Sequence, residues 1–220
     1  MNKLSKISLS LLCISLLALT GCASTKPIPY ANLSSSSQLQ ANPKADTDKA
    51  PYLYSVPVKW GNYSTLLMEP VAIYGGPDHQ FGDLSEADKQ ELAQYMDTTF
   101  RKALSQRFRV SSNPGPNAIK LRLTLAGAGT NTAVASTVTR FDLAGMPYNL
   151  VQSIRGKEGI LMGSVSYSVE IYDATSNQLL KAFVTKQYPN AMNVAATFGS
   201  LGAAKTGIEK GADALVAELK

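Results

Sequence analysis

Ile119-Lys120-Leu121-Arg122-Leu123-Thr124-Leu125 alternates without a break. Successive side chains of an extended chain point to opposite faces, so Ile119, Leu121, Leu123 and Leu125 share one side and Lys120, Arg122 and Thr124 the other. The stretch predicts a half-buried strand, and therefore a sheet with one face turned to a core. Downstream, Val165, Tyr167, Val169 and Ile171 repeat the pattern, with Ser164, Ser166, Ser168 and Glu170 facing away. Asp173 to Asn177 reads as a turn and Leu179 to Gln187 as the return strand of a hairpin.

Upstream of that strand, Asn113-Pro114-Gly115-Pro116-Asn117 is a turn, and Phe108 to Ser111 is a short strand before it. A helix precedes them. Ser85-Glu86-Ala87-Asp88 is a capping-box-like start with acids at the positive end of the helix dipole. Leu92, Met96, Phe100, Ala103 and Leu104 recur at three and four residues, which places one face in the core. The helix is expected to end near Arg107, with Arg101, Lys102 and Arg107 at the end that favours cations. Before Gly75-Gly76-Pro77 breaks the chain, Thr65 to Tyr74 reads as one strand, bent or at an edge because of Pro70. Tyr52 to Val58 reads as an edge strand.

The last helix is expected from about Ala191 to Leu219. Leu201, Ala204, Ile208, Leu215 and Leu219 form an apolar stripe, and Ala191, Ala195, Gly199, Ala203, Gly207 and Gly211 a second one made of small residues at every fourth position. Each glycine costs a helix about 1 kcal/mol relative to alanine, so a close backbone approach is expected in return. Packing of the stripe on the chain's own sheet is one reading. The other is a small-xxx-small helix interface at Ala195, Gly199, Ala203, Gly207 and Gly211, serving self-association. Gly127 to Gly159, rich in Gly, Ala and Thr, reads as continuation of the sheet plus a long excursion. No solenoid-period repeat is present.

The N-terminus is of a different kind. Lys3 and Lys6 precede an apolar run, Ile7 to Leu19, that is 13 residues long, against the roughly 20 that a spanning helix needs. This is the layout of a signal peptide over residues 1–21. Leu19-Thr20-Gly21-Cys22 resembles a bacterial lipobox. That resemblance implies cleavage before Cys22, diacylglycerol on its sulfur and an acyl chain on its new amine. Two chains already give stable anchoring at about 0.8 kcal/mol per buried methylene. Ala23, where Asp would retain a protein at the inner membrane, implies an outer-membrane address facing the periplasm. Residues 22–51, rich in Ser, Pro, Asn and Gln, read as lipidated N-terminus and tether. As a free coil, Ala23 to Pro51 would span about 30 Å. Tyr30, Leu33 and Leu39 are apolar points in it that are suited to dock on the domain.

Composition narrows the function classes. The chain has 220 residues and formal charge +5. Losing residues 1–21 removes Lys3, Lys6 and no acid, which leaves +3. Arg101, Lys102, Arg107 and Arg109 are interleaved with apolar residues and form no concentrated basic stripe, so no nucleic-acid partner is expected. Cys13 lies in the leader and Cys22 is the lipid site, so the mature domain has no thiol for a disulfide, a metal or a nucleophile. His79, the single histidine, sits near Asp78, Asp83, Glu86 and Asp88. One imidazole without a second His or Cys is a poor metal set, and the acids have a simpler role at a helix start. Gly127-Ala128-Gly129 after a strand lacks the third glycine, the following helix and the ribose acid of a dinucleotide loop. No metal, cofactor or catalytic residue is expected, and no constellation names a reaction.

Several stretches, taken in order, resemble the family called domain of unknown function 3313, lipoproteins of proteobacteria. They are Tyr30-Ala31-Asn32-Leu33 with Ser37-Gln38-Leu39, Met68-Glu69-Pro70-Val71, Arg107-Phe108-Arg109-Val110, Pro114-Gly115-Pro116 before Leu121-Arg122-Leu123, and Tyr167-Ser168-Val169-Glu170-Ile171-Tyr172-Asp173. The resemblance runs from Tyr30 to the C-terminus and brings no catalytic residues. The order of elements is also similar to the α/β sandwich of envelope lipoproteins that regulate or assemble machines, which is an analogy of fold and not of function.

The expectation is an α+β fold: one domain over residues 52–220, a mainly antiparallel sheet of four to six strands with two helices on one face, preceded by signal peptide and flexible tether. The leading functional reading is a non-enzymatic, outer-membrane-anchored periplasmic protein that docks to an envelope protein partner and serves assembly or maintenance. The alternatives are a carrier or sensor of a small apolar, lipid-like ligand held between sheet and helices, and a cell-envelope hydrolase.

Overall fold

The computed structural model describes residues 26–43, 50–130, 151, 163–190, 193 and 199–220. The leader, Cys22 and most of the Gly127–Gly159 excursion lie outside them, as do Ala191 and Ala195 of the small-residue stripe. In chain order the elements are β1 (Gln40–Ala41), β2 (Tyr52–Ser55), β3 (Thr65–Met68), β4 (Ala72–Ile73), α1 (Glu86–Leu104), β5 (Arg109–Val110), β6 (Ala118–Gly129), β7 (Ser164–Asp173), β8 (Leu179–Gln187) and α2 (Gly202–Glu218). No helix among the described residues is long and apolar enough to cross a membrane.

Among the described residues the strands form one eight-stranded sheet in the order β1-β2-β8-β7-β6-β3-β5, with β4 also on β6. It is α+β and mostly antiparallel, as expected, but larger than four to six strands. Two local causes, the splitting of one expected strand and an added strand from the tether, account for the difference. Pro70 has no N–H to give, so the expected strand Thr65–Tyr74 splits into β3 and β4, both parallel to β6. Glu69 N and Tyr74 N still reach Leu121 O at 3.0 Å and Leu125 O at 2.8 Å, which keeps the broken strand in register. The helix carries the chain back to the start of β3, so β5 adds parallel to β3 as a crossover connection must. Finally β1 comes from the expected tether and pairs with β2, which is therefore not an edge.

Ser85 Oγ accepts the Asp88 N–H at 3.1 Å, the cap that the sequence signals for α1. The helix ends at Leu104, about a turn before Arg107, and Leu92, Ala93, Met96, Phe100, Ala103 and Leu104 are buried. They meet Ile119, Leu121, Leu123 and Leu125 of β6 and Val165, Tyr167, Val169 and Ile171 of β7 in one core. Phe100 stands edge-on to Tyr167, with ring centroids 5.8 Å apart.

The second helix is shorter than expected. Gly199 has φ 76°, in the left-handed region, which ends helical geometry on its N-terminal side. α2 starts at Gly202, so Gly199 is not part of a helical stripe. Ala203, Gly207 and Gly211 are buried, and the two glycines lie against the chain's own sheet. A Cβ on Gly207 would come within 2.8 Å of Gln187 O, and one on Gly211 would overlap the Tyr167 hydroxyl. At these two positions β7 and β8 fill the space above the glycines.

Candidate functional site

Both helices cover one face of the sheet. The other face is covered by residues 26–39, a strap from within the expected tether, and here the docking expected of Tyr30, Leu33 and Leu39 is found. Tyr30 and Leu33 are buried with Tyr74, Ala126 and Val184, and Leu39 packs against them. The Tyr30 ring sits 5.2 Å from that of Tyr74. Its φ is 44°, a conformation that a bulky residue keeps only where its surroundings hold it.

Polar contacts fix the strap at its entry. The Tyr30 hydroxyl donates to Gln80 Oε1 at 2.9 Å, and Gln80 Nε2 donates to Lys26 O at 2.7 Å. Ala31 N donates to Asp78 Oδ2 at 3.0 Å, Asn32 N to the Tyr74 oxygen at 3.0 Å, and the Tyr74 hydroxyl to Asp78 Oδ1 at 2.6 Å. These donors hold the Asp78 carboxyl below its ordinary pKa, with the Tyr74 hydroxyl the largest cause. Burial, and then the bond to Asp78, pushes Tyr74 up.

Beneath the strap the sheet is polar. Thr124, Ser166, Ser168 and Glu170 are all buried. Glu170 is 1% exposed, and neither carboxylate oxygen has a hydrogen-bond partner among the described residues. Arg122 Nη1 lies 3.9 Å from its Oε2. Ser35 Oγ of the strap and Ser168 Oγ are likewise without partners there. Arg122 is clamped from the strand side by Glu69, Nε to Oε2 at 2.8 Å, and from the strap by Ser34 Oγ at 2.9 Å. Glu69 raises the Arg122 pKa, and burial pushes the Tyr172 hydroxyl up to about 12, with the Glu170 charge adding to it. Beside this cluster lies a recess of about 310 Å³ lined by polar groups, among them Ser34, Gln38, Tyr54, Arg122, Tyr172 and Asn177.

Ser166, Ser168 and Glu170, expected to face outward, are thus buried on the strap side of the sheet. The signal that could have found this is the pairing of a three-serine run, which leaves room above the sheet, with the apolar points Tyr30, Leu33 and Leu39 upstream. His79 is exposed and leans on Phe81 with ring centroids 5.5 Å apart. Asp78, beside it, is engaged by the strap. Gly127 belongs to β6, and its missing side chain lets Gln80 cross: a Cβ there would sit 2.6 Å from Gln80 O. Ala126 is an extra residue at the register shift between Leu125 and Gly127.

A family model described as protein of unknown function, DUF3313, matches residues 29–215, strap included. No curated protein matches the chain. Among solved structures it is similar to the PelC dodecamer from Paraburkholderia phytofirmans, with TM-score 0.38, 14% identity and coverage of 73% of this chain and 94% of that one. It is also similar to the hypothetical protein CT253 from Chlamydia trachomatis, with TM-score 0.32, 9% identity and coverage of 70% and 94%. These likenesses are too weak to carry an argument about function.

Proposed function

The chain belongs to the DUF3313 family of proteins of unknown function, and for this member we propose a non-enzymatic periplasmic protein, anchored in the outer membrane through lipid on Cys22, that docks an envelope protein partner. The observation that carries the reading is the strap. A segment that follows the lipobox-like Leu19-Thr20-Gly21-Cys22 by three residues is bonded into the sheet from Lys26 onward. An anchor joined to the fold in this way suits a protein that presents a set surface from a membrane.

The docking part has its own support. Helices cover one face of the sheet and the strap the other. β5 ends the strand order among the described residues, and Val110 on it is 38% exposed. An edge strand with an apolar side chain is a template for strand addition by a partner. The recess beside the strap, lined by amides, hydroxyls and a guanidinium, suits a hydrophilic solute better than a lipid, so it does not favour the carrier of an apolar ligand.

The test is the N-terminal peptide of protein purified from membranes. Diacylglycerol and acyl mass on Cys22, with Cys22→Ala lost from the membrane fraction, supports anchoring; a peptide starting at Met1 or carrying no lipid contradicts it. For docking, a photo-crosslinker at Val110 in intact cells is expected to give one discrete protein adduct. No adduct at Val110 contradicts docking at this edge.

A further inference from the structure

Only Ala23, Ser24 and Thr25 lie between Cys22 and Lys26. Four residue steps reach at most about 14 Å when fully extended. Lys26 is not free to drift: its carbonyl accepts from Gln80 Nε2 at 2.7 Å. Gln80 is itself part of the sheet, its N–H donating to Ala126 O at 2.8 Å and its backbone bridging to Gly127 in parallel. The path from Cys22 to the sheet is therefore three residues of chain followed by hydrogen bonds. A free coil from Ala23 to Pro51 would instead allow about 30 Å.

The place where Lys26 is held matters as much as the length. Gln80 and Gly127 mark the end of the sheet where β6 finishes and β7 begins. Asp83 and the capped start of α1 are at the same end. α1 then runs away from it for 19 residues, about 28 Å at 1.5 Å per residue, and returns the chain at Arg109 beside Thr65, the opposite end of the sheet.

The geometry points to a fixed membrane-facing end: the lipid on Cys22 holds the Lys26–Gln80 end of the sheet against the bilayer surface, with the C-terminal end of α1 directed away from it. The inference rests on Cys22 carrying the lipid, as proposed above. The partner is the lipid surface itself. Charge does not drive the contact, because exposed Asp83, and Glu86 paired with Lys89 at 2.6 Å, leave no basic patch beside Lys26 at this end. The chain enforces the contact, so it is insensitive to salt, unlike an adsorbed basic patch.

The mature chain has no cysteine but Cys22, so one added thiol gives a unique label. Asp83→Cys and Gln106→Cys, both at exposed positions, are labelled with a fluorophore in the acylated mature protein. The protein is then reconstituted in phosphatidylethanolamine/phosphatidylglycerol vesicles that carry a nitroxide headgroup lipid. Strong quenching at 83 and none at 106, unchanged by added salt, is expected. Equal quenching at the two positions, or stronger quenching at 106, overturns the inference. The mass of the N-terminal peptide from the same sample separates the two failures. With acyl mass present, equal quenching removes the orientation and leaves the anchor; without acyl mass, anchor and orientation fall together.

Discussion

Gly211 of α2 lies directly against the phenol of Tyr167 on β7, so close that a Cβ at position 211 would overlap the Tyr167 hydroxyl. Tyr167 cannot yield easily, since it is fully buried and stands edge-on to Phe100. One turn earlier, Gly207 faces the backbone oxygen of Gln187 at 2.8 Å from where its Cβ would be. Gly207 and Gly211 thus sit in the seam between α2 and the sheet.

Gly211→Ala and Gly207→Ala are expected to destabilise the protein. Helix propensity favours alanine by about 1 kcal/mol, but forcing a methyl into a filled core costs about 1–3 kcal/mol, and at Gly207 the obstructing atom is backbone. The net loss is up to about 2 kcal/mol by the same comparison. Urea denaturation measures it. A gain in stability, or a change in oligomer size without loss of stability, would show that this face is not packed as described.

The strap should respond in graded fashion. Tyr30→Phe removes one bond to Gln80 and is expected to cost about 1 kcal/mol. Tyr30→Ala removes the buried ring, a change worth about 3–5 kcal/mol in a core. Because a strap can peel while the rest of the sheet stays folded, Tyr30→Ala should appear as protease cutting near residues 26–39 with the hairpin β7–β8 intact. Unchanged resistance to cutting in Tyr30→Ala would count against docking.

Arg122 and Glu170 give a charge test. Removing one partner of a fully buried pair costs about 3–5 kcal/mol. Arg122 is 32% exposed and 3.9 Å from Glu170, so the loss for Arg122→Ala should fall at or below the low end of that range. The double change Arg122→Met with Glu170→Leu should recover most of it, since apolar replacement of a buried pair is often neutral or better. A double variant as unstable as the sum of the singles would mean that the two groups do not interact.

Acid should loosen the strap. The folded-state pKa of Asp78 is lowered from 3.8, first by the Tyr74 hydroxyl and then by the Ala31 N–H, with His79 adding slightly. A depressed carboxylate contributes stability that is present above the unfolded value and lost as pH falls through the folded one. Protection of the strap is therefore expected to be constant from neutral pH to about 4 and to fall below 3.8. Asp78→Asn should flatten that fall. A strap that loosens on going from pH 7 to pH 5 would point to another group.

Much of this fold can be read from local pattern. The alternation at Ile119–Leu125 and Val165–Ile171, the Ser85 cap and the three-four spacing of Leu92, Met96 and Phe100 each depend on neighbours in sequence. What escaped depends on distant ones. The burial of Glu170 needs a strap more than 130 residues upstream. The parallel placement of β5 needs the path of α1. The start of α2 at Gly202 needs the left-handed Gly199, whose four-residue spacing with Ala203 and Gly207 mimics a helical stripe. The strap itself was half legible: Tyr30, Leu33 and Leu39 mark apolar points, but Ser- and Pro-rich composition around them reads as tether. No chemistry was legible at the Arg122–Glu170 cluster, because each member alone looks like a solvated strand residue.

Hydrogen exchange at the Ala31 and Asn32 amides tests the central claim most directly, since their partners, Asp78 and Tyr74, lie on the sheet side. The docked strap predicts slow exchange at both amides in the wild type at neutral pH, and faster exchange when Tyr74→Phe removes the acceptor of Asn32. Exchange at the rate of an unstructured peptide in the wild type would show that residues 26–39 are a free tether, and the docked strap, with the fixed membrane-facing end argued from it, would be wrong.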